Sequence, residues 1–142
     1  VGQEETIGMY QKFMLGLIEN ASNNPQLTAN PQAREEIKNV LNDVNRVYDA
    51  NLGIYPGLKE QYINGGINMR AGLAFNLPDY VARGKAMFLD AVEKAPTRLE
   101  FIRVLIELAR QQGDNEALDK WSRRAELYRP DLFKLTELKS AN

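Results

Sequence analysis

Apolar residues return at three- and four-residue steps along most of this chain. Nowhere do they alternate in twos between turn signals, so the pattern predicts helices and no strand of consequence. Pro, Gly and Asn punctuation cuts the pattern into seven helical segments. The first covers about 4–21, where Ile7, Tyr10, Met14 and Leu17 form an apolar stripe that Phe13 and Ile18 widen. Ser22-Asn23-Asn24-Pro25 breaks it. The second covers about 31–51, with Asn30 as the expected N-cap and Pro31 at the first position, where its missing N–H is no loss. Ile37, Val40, Leu41, Val44, Val47 and Tyr48 make its apolar face, and Glu35 and Glu36 sit at its positive end. Leu52-Gly53 ends it.

The third segment runs from near Pro56 to about Asn76 and carries Leu58, Tyr62, Met69, Leu73 and Leu77. Gly65-Gly66 in its middle, at roughly 1 kcal/mol per glycine against alanine, predicts either a kink or a division into two helices. The fourth follows Pro78-Asp79, carries Val81, Phe88, Leu89 and Val92, and stops at Pro96. Thr97-Arg98-Leu99-Glu100 has the form of a capping box and opens the fifth, which carries Phe101, Val104, Leu105 and Leu108 to Gly113. Asp114 caps the sixth, through Leu118 and Trp121 to Tyr128. A last helix over 131–139 puts Leu132, Leu135 and Leu138 on one side.

Pro96 and Pro130 stand 34 residues apart, as do Ala91 and Ala125, and that is the period of the tetratricopeptide repeat. Ala91-Val92-Glu93-Lys94-Ala95-Pro96 and Ala125-Glu126-Leu127-Tyr128-Arg129-Pro130 share a context. On these residues the second half of the chain resembles tandem tetratricopeptide repeats. In a unit over 65–98, Gly72 falls on the small residue of the first helix and Phe75 on the aromatic that follows it. Gly84, Phe88 and Ala91 fall on the small, aromatic and small positions of the second helix, whereas Asn68 and Ala71 depart from the leading Trp and Leu. In a unit over 99–132, Leu105, Gly113-Asp114, Ala125 and Pro130 match, and Ile106, Ala109 and Ser122 do not. Residues 4–56 form a degenerate N-terminal helix pair in which Ala50, Tyr55 and Pro56 echo the closing Ala and Pro.

The resemblance implies an all-α fold: an antiparallel helix-pair, right-handed solenoid over 1–142 as one domain, with 131–139 as a C-terminal capping helix. It implies a non-catalytic scaffold that holds a peptide or a partner helix of another protein in a concave groove. Carried over by position, the groove residues are Met69, Leu73 and Asn76 in one unit and Arg103, Glu107 and Arg110 in the next. The last three lie at steps of four and three and share a helix face, which equally suits a solvated surface with a local ion pair. One subclass of the family clamps the C-terminal carboxylate of chaperones with Lys and Asn. Met69 and Leu73 stand where those are needed, and Glu100 and Val104 where Lys and Arg follow, so that activity is not expected here. Apolar surface at the open end of a short array offers a route to a homodimer.

The run Asp49-Ala50-Asn51-Leu52-Gly53-Ile54-Tyr55-Pro56, then Ala91 with Ala95-Pro96-Thr97-Arg98-Leu99-Glu100, is similar to repeat regions that follow the last membrane span of O-antigen ligase and polymerase-type bacterial proteins. That resemblance implies the alternative function, an accessory extracytoplasmic (periplasmic) domain of a membrane-anchored glycan-transfer protein. The opening Val1 in place of Met agrees with a piece of a longer chain, and a cytoplasmic scaffold agrees with it equally.

Composition narrows the chemistry. Of 142 residues, 44% are hydrophobic and 26% charged, the balance of a folded chain. A net charge of −1 gives no excess with which to neutralise phosphates, so no nucleic-acid partner is expected. Cysteine and histidine are both absent. Their absence takes away thiolate nucleophiles, disulfides, the usual general base and the ordinary ligands of zinc and haem, so neither a metal nor a cofactor is expected. No P-loop or Gly-x-Gly-x-x-Gly occurs, and Gly65-Gly66 follows no strand. Trp121, at helical spacing from Leu118 and Ala125, reads as a packing residue. Asn20-Ala21-Ser22 fits the short glycosylation sequon, a pattern common by chance.

Overall fold

The computed structural model describes residues 3–51, 57–134 and 137. Among them the fold is all-helical: α1 (Gln3–Ser22), α2 (Pro25–Thr28), α3 (Pro31–Asn51), α4 (Leu58–Ala74), α5 (Pro78–Lys94), α6 (Leu99–Gln112) and α7 (Asn115–Tyr128). The chain divides into two compact units, Val1–Met87 and Phe88–Asn142. The division falls within α5.

Helix ends are set where side chains can satisfy the orphan N–H groups. Asn30 caps α3 as expected, its Oδ1 accepting from the backbone of Gln32 at 2.8 Å and Ala33 at 3.2 Å. Asp114 caps α7 by accepting from the Ala117 N–H at 3.1 Å. The break at Asn24-Pro25 holds one more helical turn, α2, because Asn24 accepts from the Gln26 N–H at 3.0 Å and Pro25 opens the turn. The expected capping box at Thr97 does not form. Arg98 occupies the N-cap position of α6 without a side-chain cap. Glu100 instead accepts from the Arg98 guanidinium at 2.8 Å. Its own backbone N–H first, and then Arg98, hold this carboxyl below the ordinary glutamate range.

Two helices end in the left-handed conformation. Gly113 at φ 67° closes α6, and the Asp114 N–H reaches back to the Ala109 carbonyl at 2.9 Å. Asn76 at φ 56° closes α4 in the same way, with the Leu77 N–H on the Gly72 carbonyl at 2.8 Å. Asparagine is one of the few side chains that tolerates this region.

In the first unit, α1 and α3 both pack on α4. Its core joins Ile18 of α1, Leu41 and Val44 of α3, Ile67 and Ala71 of α4, and Phe75 and Leu77 of the turn that follows. Of the two outcomes expected at Gly65-Gly66, a division into two helices does not occur: α4 is one continuous helix. The glycines that matter for packing are elsewhere. A Cβ on Gly84 would lie 2.6 Å from the Gly65 carbonyl oxygen and 3.0 Å from the Met69 nitrogen. One on Gly72 would lie 2.8 Å from the Val81 nitrogen. Helices α4 and α5 therefore meet backbone to backbone, which a side chain at either glycine would prevent.

In the second unit α6 packs on α7. Phe88 and Phe101 are buried, with ring centroids 6.3 Å apart and planes tilted by 55°, a favourable aromatic arrangement. Ala91 and Ala125 are fully buried. Trp121 is buried as expected, and Lys120 and Arg124 lie 4.8 and 4.9 Å from its ring. The helix expected to begin at Asp131 does not begin there: Asp131 and Leu132 are in a turn, and Phe133 and Lys134 are irregular. Apart from Glu137, which is helical, the rest of that segment lies outside the described residues, as do the expected helix end at Leu52-Gly53 and the motif Tyr55-Pro56.

Candidate functional site

The groove residues expected from the resemblance are not all available to a ligand. Met69 is buried, with its backbone and Cβ against the Gly84 crossing. Leu73, one turn on, is 39% exposed. Asn76 is exposed, but its backbone is spent on ending α4, and its carbonyl accepts from the Arg34 guanidinium. The burial of Met69 therefore answers to packing, whereas Asn76 combines helix termination with an exposed side chain.

Of the second set, Glu107 and Arg110 form an ion pair one turn apart on α6. The Arg103 guanidinium lies 4.8 Å from the centre of the Phe133 ring, and Phe133 is buried. The irregular segment after α7 thus seats a phenyl ring beside this face of α6. An exposed intrahelical pair of this kind contributes roughly 0.3–0.5 kcal/mol.

A different face is open. Met9, Phe13 and Leu17 recur every four residues on α1 and are 69%, 65% and 47% exposed. The same helix turns Ile18, Tyr10, Met14 and Leu15 towards the core. The sequence pattern placed Phe13 and Leu17 in the buried stripe. That was an error with a physical cause: α1 is apolar on more than one side, and periodicity alone does not say which side has a partner. Gly16 lies along the same outer surface and has open space where a Cβ would be.

The first unit also buries a set of amides that the hydrophobic pattern gave no reason to seek. Asn45 and Asn68 exchange reciprocal hydrogen bonds, each Nδ2 donating to the other's Oδ1 at 2.8 Å. Asn68 donates a further bond to the Asn64 carbonyl at 2.8 Å, and Asn64 donates to Asn45 Oδ1 at 3.2 Å. Gln61 donates to the Met87 carbonyl at 2.8 Å. Asn64 and Asn68 have no solvent exposure, and Asn45 is 7% exposed. The available signal was polar residues at helical spacing, 61, 64 and 68, on a helix flanked by apolar positions.

Asn45 also forms the inner wall of an open cleft of about 710 Å³. Asn42 and Asp49 of α3 line one side, and Asp79, Tyr80 and Arg83 of α5 line the other. The Tyr80 hydroxyl donates to Asn42 Oδ1 at 2.5 Å, and Arg83 pairs with Asp49 at 2.7 Å. These two contacts tie α3 to the first turns of α5.

Among the described residues no group of three or more Asp or Glu is arranged to hold a metal ion. Nor is any described helix long and apolar enough to cross a membrane. Compared with known proteins, the chain matches no family model, no curated protein and no solved structure.

Proposed function

We propose that this chain is a non-catalytic interaction module of tetratricopeptide-like helix pairs that binds an amphipathic helix of a protein partner along the outer face of α1. The observation that carries the reading is the exposed stripe of Met9, Phe13 and Leu17. Large apolar side chains in line on a surface mark interaction sites more often than isolated ones do. Their four-residue spacing forms the ridge that packs into the groove of another helix, and the bare Gly16 leaves room for that helix to come close. Methionine and phenylalanine suit such a role, one adaptable and one with a large apolar area.

Support for the repeat part of the reading comes from the small residues. Gly72 and Gly84 sit at close crossings, Ala91 and Ala125 are fully buried, and the proline period repeats around them. Such pairs leave one apolar face for a neighbour, which is how helix-pair arrays recruit partners.

A photoreactive amino acid placed at Phe13 tests the reading in cells that make the chain naturally. The expected result is a discrete cross-link to a second protein, lost when Leu17→Glu is added. A probe at the exposed Glu36 should give none. Equal cross-linking from both positions, or cross-linking at Phe13 only to another copy of the chain, contradicts the proposal.

A further inference from the structure

We infer that Met9 is the oxidation site of this chain: a hydroperoxide converts its thioether to the sulfoxide, and the sulfoxide releases the helix docked on α1. The inference rests on the docking reading above and adds the chemistry that controls that face.

The supply of sulfur is the first argument. Cysteine is absent, so four methionines hold all the sulfur that an oxidant attacks readily. The fold encloses three of them. Met14 packs against the core of the first unit. Met69 is 6% exposed and stands against the Gly84 crossing. Met87 packs on Tyr48, and its sulfur takes a contact from the Asn64 amide at 3.7 Å. Met9 is 69% exposed. Sulfur oxidation follows access, so this one thioether reacts first.

Placement is the second argument. Met9 heads the exposed stripe, with Phe13 one turn on and Leu17 one turn further. Its reaction is a two-electron oxygen transfer. A sulfur lone pair attacks one peroxide oxygen and the O–O bond breaks. That oxygen stays on sulfur, and its proton leaves with the other oxygen as water. Sulfur is oxidised by two electrons and the peroxide is reduced by the same two.

The third argument is the difference between the free and the docked chain. On the free chain the new S=O group stands in water, so it leaves the fold as it was. Against the apolar face of a partner helix it loses that water and meets no donor in exchange. A flexible apolar side chain becomes a polar one at the place where apolar contact holds the partner. Oxidation therefore weakens docking without unfolding the chain.

The test uses the purified chain with the photoreactive amino acid at Phe13. Limiting hydrogen peroxide is added, then removed with catalase, and the products are mapped by mass spectrometry. Met9 should oxidise at least about tenfold faster than Met14, Met69 or Met87. The thermal midpoint should not move. Treated and untreated chains are then mixed with an extract of the cells that make the chain naturally. Oxidation should weaken the cross-link by about tenfold. The two methionine sulfoxide reductases, which together reduce both sulfoxide epimers, should restore it. Met9→Leu removes the thioether, so whatever its own cross-linking strength, peroxide should no longer change it. Three results overturn the inference: a buried methionine that oxidises as fast as Met9, a cross-link that ignores Met9 oxidation, or peroxide sensitivity that survives Met9→Leu. Absence of a cross-link from the untreated chain is a different failure. It removes the docking reading and this inference with it, whereas a cross-link indifferent to peroxide removes this inference alone.

Discussion

Gly84→Ala is expected to destabilise the protein by about 3 kcal/mol or more, although alanine is the better helix former. The new methyl would stand 2.6 Å from the Gly65 carbonyl oxygen and 3.1 Å from Met69 Cβ. The first of these is backbone, which cannot swing aside as the end of a long side chain can. Relief requires α4 and α5 to separate, and separation loosens packing along both. The propensity gain of about 1 kcal/mol is in the opposite direction and is the smaller quantity. Gly66→Ala supplies the comparison, because a Cβ there meets nothing within 4 Å. That variant should be neutral or more stable by up to about 1 kcal/mol. Urea unfolding followed by circular dichroism reads both. If Gly84→Ala and Gly66→Ala shift the midpoint in the same direction, the backbone contact between α4 and α5 is not real.

Asn68→Ala should cost about 3 kcal/mol. It removes both halves of the reciprocal pair with Asn45 and the bond to the Asn64 carbonyl. The larger part of the loss is not the bonds themselves. It is the Asn45 amide left in place, 7% exposed, with a donor that water reaches poorly. An unsatisfied buried polar group costs roughly 1–3 kcal/mol, whereas one hydrogen bond contributes about 1 kcal/mol net. Asn45→Ala should therefore be similarly damaging. The double variant Asn45→Ala/Asn68→Ala should lose clearly less than the sum, since neither partner is then stranded. Strict additivity in the same unfolding experiment means that the two amides act independently and the cluster is misassigned.

Much of the helical frame was legible because its signals are local. Asn30, Pro31, Gly113 and Asp114 act within one turn of where they stand, and each bounds a helix as its chemistry requires. Thr97 failed by the same logic: its partner in the expected box, Glu100, is taken by Arg98. Asn76 shows how one residue type serves several ends. By position in a repeat it lines a groove, and its left-handed backbone also makes it the stop of α4.

Tertiary features were less legible. That Gly84 meets Gly65, and that Asn45 meets Asn68, depends on which helix faces which, and no three- or four-residue rhythm encodes that. The α1 face carries the same lesson. Phe13 and Ile18 are both apolar and lie in one widened stripe on paper, yet one is 65% exposed and the other 1%. What separates them is the placement of α4 on a single side of α1.

That separation is also the point at which the functional reading is most exposed to test. The measurement is the thermal midpoint of Met9→Ser/Phe13→Ser/Leu17→Ser. If these side chains serve a partner and not the fold, the midpoint should stay within about 6 °C of the parent, because exposed substitutions change stability by less than about 0.5 kcal/mol each and three of them by less than about 1.5 kcal/mol together. A fall of about 10 °C or more would place them in the core and remove the surface on which the proposed function rests.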